Sequence, residues 1–352
     1  MLRPPHLSRV WGPAYPPVVR FSVRVNNDRR LSDYIRLARA TEAAGFDQLW
    51  VSDDLFLRSA PVLVSAMAQV TTRLEIGIGI LNPYTIHPSE IAMLAATLDE
   101  LTGCRFNLGL AAGAARFLRW VGIEPARPLA ATRATIDAVR GLLAGERVGG
   151  DGVFLPWTEN AYLRFRAPRV TPIYLGAMSP GMLRLTGERA DGALPLLLPP
   201  DHYFAVRPLV EEGRRRRSPA LGELDFAACV WVSLAEDREA ARRALAEKIA
   251  YYGRAFGPLI HARLGLAEAD FAPVEHALLT AGDATKAVGL VDDRMLRVGI
   301  VGDPGDVIAQ LEPLVAAGAR HLSFGPPLGP DPIAAVALLG REVLPYFRRL
   351  SG

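Results

Sequence analysis

An amphipathic helical stretch that ends at a glycine, followed one or two residues later by a short apolar run, recurs along this chain. It appears at 37–53 (LARATEAAGFDQLWVSD), 94–110 (LAATLDELTGCRFNLGL), 182–197 (MLRLTGERADGALPLL) and 308–325 (IAQLEPLVAAGARHLSFG). Glycine adopts the left-handed conformation that ends a helix without a Cβ clash, so Gly45, Gly103 and Gly318 predict helix stops. The runs that follow are mostly apolar, as expected of strands covered on both faces. With the less regular members, strands are predicted at 21–25, 47–51, 74–79, 105–110, 172–176, 192–196, 226–233 and 321–325.

Strand and helix alternating at this spacing imply a parallel sheet. Eight such units suit a closed (β/α)₈ TIM barrel, which takes ~250 residues plus insertions; an open doubly wound sheet is the alternative. Two segments break the rhythm. Residues 146–169 read as a hairpin-like excursion, and 237–303 hold two or three helices where one connection is needed. The predicted organisation is an N-terminal extension (1–20) and one barrel domain (21–352) with these two insertions.

The stretch GIGILNPYTIHP (77–88) begins as a buried strand and ends as a helix start, with Pro88 in the first turn. Apolar positions at Ile91, Leu94, Ala95, Leu98 and Leu101 then mark one buried stripe. In a barrel the chemistry lies at the carboxyl ends of the strands. Asn82, Pro83, Tyr84 and Thr85 are thus expected above the mouth. Gly77 and Gly79 either leave room for something flat against the backbone or serve a tight turn.

Composition narrows the function classes. At 352 residues and 50% hydrophobic, the chain can bury a large core, and a formal charge of +3 gives little support to nucleic acid or a membrane surface as partner. Lys248 and Lys286 are the only lysines among 40 basic residues. The run at 214–217 reads as a solvated helix end. Cys104 and Cys229 form no disulfide framework or metal signature and read as core residues. The segment 1–20 is proline-broken and carries no signal-peptide stretch, so a cytoplasmic location is expected. The histidines show no metal-ligand spacing, no G-x-S-x-G elbow occurs, and the G-x-G-x-x-G dinucleotide fingerprint is missing.

Four segments carry a family resemblance: AAGFDQLWVSDD (43–54), GIGILNPYTIHPSEIAMLAATLDELTGCRFNLGL (77–110), VTPIYLGAMSPGMLRLTGERADGAL (170–194) and HLSFGPPLGPD (321–331). The sequence resembles the luciferase-like flavin and deazaflavin oxidoreductase superfamily, in particular its methylenetetrahydromethanopterin reductase-like branch. The resemblance implies a (β/α)₈ barrel and coenzyme F420, with flavin mononucleotide (FMN) as the alternative cofactor. It implies hydride transfer between the deazaflavin and a small organic substrate. The alternatives are a two-component monooxygenase using reduced FMN and, in another class, a flavin-binding barrel without turnover. A homodimer and a separate reductase supplying reduced cofactor follow from the same analogy.

The resemblance also assigns roles. It implies a non-prolyl cis bond between Gly79 and Ile80, a bulge against the cofactor's central ring, with Leu81 and Asn82 beside it. Ala112, Gly113 and Ala114 would flank the ribityl chain. Gly176, Ala177, Met178, Gly181 and Met182 would cradle the phosphate at a helix N-terminus. Tyr84, Thr85 and Trp120 are candidates for the substrate pocket, and no metal is expected. Arg24, Asp54 and Ala114 stand where relatives often carry a carboxylate, a histidine and an acid. That departure points away from methylenetetrahydromethanopterin itself as substrate. Asp54 is then a candidate acid or base or a capping residue, Asp53 a cofactor anchor or a partner of Arg24, and Arg24 a donor at the mouth.

Overall fold

The three helix-stop glycines turn the chain as their sequence pattern requires: Gly45, Gly103 and Gly318 have φ of +82°, +65° and +91°. Each leads into a strand. The computed structural model describes residues 19–149, 155–253 and 256–350. Its strands are β1 (Arg20–Val25), β2 (Gln48–Val51), β3 (Glu75–Leu81), β4 (Phe106–Leu110), β5 (Ile173–Leu175), β6 (Gly192–Ala193), β7 (Leu196–Leu197), β8 (Asp225–Leu234), β9 (Ile300–Gly302) and β10 (His321–Leu328). They pair in the order β10-β1-β2-β3-β4-β5-β6-β8, and β8 pairs with β10, so eight parallel strands close into a barrel. The short β7 and β9 attach to the carboxyl half of β8.

The expected run 192–196 is thus two short strands, β6 and β7, and β9 was not foreseen. Residues 300–302 are too few to show a period. Around the barrel, helices bury one stripe each. In the helix Pro88–Thr102, Ile91, Ala95 and Leu98 are buried as predicted, but Leu101 is exposed. Cys229 is a core residue; Cys104 is not, because it sits at positive φ just past the Gly103 stop and faces solvent. Arg214 and Arg217 are not free in solvent either. Arg214 pairs with Glu211 and Glu223, and Arg217 donates to main-chain carbonyls of Leu221 and Gly222.

Of the two insertions, the described residues of 146–169 contain no strand, though Val148 N–H donates to the Ala161 carbonyl across the segment; the tip of the expected hairpin-like excursion, 150–154, lies outside the described residues. Residues 237–303 hold more helix than expected: Arg238–Tyr252, Pro258–Leu264, Ala284–Gly289 and several single turns. Leu245, Ile249, Phe271 and Val298 form a second apolar cluster there, with Trp231 of β8 in it.

The barrel interior is layered. At the amino ends of the strands lies a polar floor: Asp225 accepts from Arg20 (2.9 Å), Tyr174 (2.8 Å) and His321 Nδ1 (3.0 Å), while Glu75 accepts from Arg20, Gln48 and Asn107. Above it, Trp50 and Tyr174 meet edge to face with centroids 4.9 Å apart. Each ring lies over a glycine of the next strand. A Cβ on Gly77 would stand 2.2 Å from Trp50, and one on Gly192 2.0 Å from Tyr174. Gly77→Ala therefore overpacks the barrel and should lower unfolding free energy by ~1–3 kcal/mol, read from urea denaturation.

Candidate active site

The carboxyl ends of the strands and the loops after them leave the barrel mouth open as a cavity of about 610 Å³. Arg24, Val25 and Asn26 enter from β1, Ser52 and Asp54 follow β2, and Gly79 and Ile80 lie in β3. Ala111 to Ala114 follow β4, Gly176 to Ser179 follow β5, and Trp231 comes from β8. The helix Arg238–Tyr252 crosses the rim and contributes Lys248 and Tyr252.

The β3–β4 register slips between Ile78 and Leu81, so the backbone steps out of the strand where it faces the cavity. The Gly79–Ile80 peptide within this step is cis. Small neighbours make room for the step. A Cβ on Gly109 would lie 2.3 Å from the Ile78 carbonyl oxygen, and one on Gly176 3.2 Å from Ile80 Cγ2. Leu81 points the other way, fully buried in the barrel wall.

Asn82 acts from behind. Its Nδ2 donates to the Ala112 carbonyl (3.1 Å) and its Oδ1 accepts from Tyr84 N–H (2.8 Å), which ties the loop after β3 to the loop after β4. Gly113 has φ +73°, and a Cβ there would stand 2.1 Å from Asn82 Nδ2. The 111–114 segment thus presents nothing larger than a methyl group to the cavity. After β5, Gly176 to Ser179 lead into the helix Pro180–Arg189, where Ser179 Oγ accepts from Met182 N–H (3.4 Å). N–H groups at such a start, with the helix dipole, favour an anion.

Among the sequence candidates, the cavity brings together Arg24, Asp54, Gly79, Ile80, Ala112, Gly113, Ala114, Gly176, Ala177, Met178 and Met182. Asp53, Leu81, Asn82, Tyr84, Thr85, Trp120 and Gly181 do not line it. Asp53 neither faces the cavity nor pairs with Arg24: its Oδ1 accepts from Ala60 N–H (3.2 Å) at the start of the helix Ala60–Ala68. Burial raises its carboxyl, which that hydrogen bond partly offsets. Tyr84 donates its hydroxyl to the Ala126 carbonyl (2.7 Å), and Thr85 donates to the Asn82 carbonyl (3.2 Å). Trp120 is 57% exposed and packs on Phe56 and Phe117. Gly181 lies behind the cradle, toward Leu129.

Sequence reasoning missed Trp50, Ser52, Trp231, Lys248 and Tyr252. Trp50 is legible only through its register partner Gly77, which needs the pairing. Lys248 carried a signal in composition, as one of two lysines in an arginine-dominated chain. Burial pushes its ammonium down to about 8, and its Nζ lies 4.3 Å from the Tyr252 ring centroid and 5.1 Å from that of Trp231. Asp54 is the one carboxylate among the described residues of the cavity lining; it accepts from Ser52 Oγ (2.7 Å) and is exposed at the rim. No group of three or more potential metal ligands occurs among the described residues. No helix among them is long and apolar enough to cross a membrane.

A closed parallel barrel with a deep cavity at its carboxyl mouth, lined in part by a backbone step in the third strand, is a (β/α)₈ barrel with its site where such enzymes carry theirs. The luciferase-like monooxygenase family model matches residues 17–321, and the chain belongs to that family; it is an oxidoreductase. It is 31% identical to a 5,10-methylenetetrahydromethanopterin reductase of Archaeoglobus fulgidus over 90% of this chain and 96% of that one. It is 29% identical to an F420-dependent glucose-6-phosphate dehydrogenase of Nakamurella multipartita, over 96% and 99% of the two chains. Among solved structures, the coenzyme F420-dependent tetrahydromethanopterin reductase of Methanopyrus kandleri superposes with a TM-score of 0.86 at 28% identity, covering 94% of this chain and 99% of that one.

Proposed function

We propose that this protein is an F420-dependent oxidoreductase that moves a hydride between C5 of the deazaflavin and an imine, enone or alcohol carbon of a small organic substrate. The observation that carries the reading is the step in β3 at Gly79–Ile80, marked by the register slip against β4, which lines the cavity and is made room for by Gly109 and Gly176. The printed activities of the relatives support the same cofactor. A bound deazaflavin supplies the ring carbon that gives or takes the hydride.

The chain supplies the rest. The 79–80 step offers apolar backing to a flat ring, and the methyl-sized 111–114 segment allows close approach of an extended chain. Gly176, Ala177, Met178 and Met182 hold the anionic end at the helix start, with Gly181 behind them. Asp54, oriented by Ser52 and open to solvent at the rim, moves the proton that accompanies hydride transfer. Arg24 and Ala114, in place of carboxylates, favour a substrate other than methylenetetrahydromethanopterin. A homodimer belongs to this reading by family analogy, as does a separate reductase should reduced cofactor be drawn from one.

Fluorescence and absorbance titration of the purified chain with oxidised F420 and, separately, with FMN tests it. The expected result is saturable binding of F420 and its reduction by at least one alcohol in a panel. Tight binding of FMN with none of F420 overturns the deazaflavin reading in favour of the monooxygenase alternative.

A further inference from the structure

The cavity contains two cations and neither has a carboxylate partner among the described residues. Arg24 donates from Nε to Ser323 Oγ (3.1 Å) and from Nη2 to the Val230 carbonyl (3.2 Å); no ion pair involves it. A guanidinium has five N–H donors, so most of its capacity is unspent. Among the described residues Lys248 makes no hydrogen bond and no ion pair; its ammonium lies over the faces of Trp231 and Tyr252. Asp28 and Asp54 lie near enough to favour the Lys248 charge without pairing with it, and a half-buried cation with no direct ion pair is costly unless a ligand completes it.

Arg24 is also held rigidly. Its Ser323 contact continues through Ser22 Oγ (2.7 Å) to His321 Nε2 (2.8 Å), and His321 Nδ1–H donates to the Asp225 carboxylate (3.0 Å). A hydrogen-bonded column therefore runs from the barrel floor to the guanidinium. Gly325 leaves space for it, since a Cβ there would lie 2.6 Å from Nη2. A positioned, unpaired cation of this kind is built for a ligand group.

That group is not the cofactor's anionic end as read above. The Gly176–Ser179 cradle follows β5, which is four strands from β1 in either direction round the closed ring. Lys248 lies on the β1 side, where it also lines a small adjoining pocket with Val25, Asn26 and Pro326. That pocket also holds Asp28 and Arg29, while Trp231, Tyr252 and Leu196 give the main cavity an apolar stretch of lining.

We propose that Arg24 and Lys248 form an oxyanion subsite, and that the substrate is a small organic acid, a carboxylate or a phosphate monoester, with an apolar body. The proposal rests on reading the cavity as the redox site. The test is titration of the full chain, with and without bound F420, by benzoate, phenyl phosphate and benzamide, followed by tryptophan fluorescence and calorimetry. At least one of the two anions should bind about tenfold or more tighter than benzamide, and which one does so identifies the head group. The preference should fall by at least about threefold in Lys248→Met and in Arg24→Met.

A second readout is pH. Lys248 faces Asp28 and Asp54, which favour its charge, and Arg29 and Arg24, which oppose it; Tyr252 lies beside it. Anion affinity should weaken as pH rises past about 8, and that dependence should vanish in Lys248→Met. Equal binding of anions and benzamide, a preference that survives both substitutions, or a preference lost once F420 is bound overturns the proposal. A chain that binds no F420 yet keeps the anion preference instead overturns the deazaflavin reading and leaves the oxyanion subsite standing.

Discussion

Gly109→Val should lower turnover with F420 by about a hundredfold, because the backbone step at Gly79–Ile80 has no room to stay in place beside a larger residue. Gly109 lies in β4 opposite that step. A Cβ there would stand 2.3 Å from the Ile78 carbonyl oxygen, 3.0 Å from Gly79 Cα and 3.1 Å from Ile80 Cγ2. The first two are backbone atoms, so the strain cannot be relieved by a rotamer change. The step must shift, by something approaching an ångström, and with it the surface that would back a bound deazaflavin ring. Overpacking should also cost ~1–3 kcal/mol of stability, which leaves the barrel folded. Steady-state kinetics and F420 titration read the effect, with circular dichroism as the check on folding. Gly289→Ala is the matched control, since a Cβ there meets open space and the residue sits in a helix at ordinary φ. Unchanged turnover in Gly109→Val would remove the step from the mechanism.

Asp225→Asn should be the most damaging single change to stability, at about 3–5 kcal/mol. The carboxylate takes hydrogen bonds from Arg20, Tyr174 and His321 and starts the column that ends at Arg24. An asparagine keeps one acceptor and turns an N–H₂ toward groups that themselves donate. Burial by itself would raise the Asp225 carboxyl, but the His321 and Arg20 charges and the hydrogen bonds from His321 and Tyr174 outweigh it and hold it well below the usual carboxylate range. A depressed folded-state pKa means that this stabilisation is fully present above the unfolded value near 4. It is lost as pH falls toward the folded value. Wild type should therefore lose stability steeply on acidification below about pH 4, while Asp225→Asn should show a shallower fall and converge on it. Urea denaturation at pH 7, 5 and 3 measures both. Parallel curves would show that Asp225 is not the group responsible.

The two changes act at opposite ends of the barrel, and their contrast separates catalysis from scaffold. Gly109 supports the step at the carboxyl mouth, where a small displacement matters to chemistry. Asp225 anchors the floor at the amino ends, where conservation of charge matters to folding. Through Ser22 and Ser323 the floor also fixes Arg24, so the scaffold reaches into the site at that one point.

Much of the architecture was legible in the linear pattern. Glycine after an amphipathic stretch is a local signal, because a helix ends where the backbone turns left-handed, and Gly45, Gly103 and Gly318 each do so within their own few residues. The strand positions followed from the same local patterns, and the cavity-lining segments 79–80, 112–114 and 176–178 from family resemblance. Tertiary structure alone decided which of the remaining candidates reach the cavity. Asp53 and Asp54 are neighbours in sequence, yet one caps a helix and the other lines the mouth, because adjacent side chains leave the backbone in different directions. Trp50 enters the site through register with Gly77, and Lys248 through a helix that folds back over the rim from about 225 residues beyond Arg24. A chain's pattern specifies contacts between near neighbours; those between distant segments exist only once the barrel has closed.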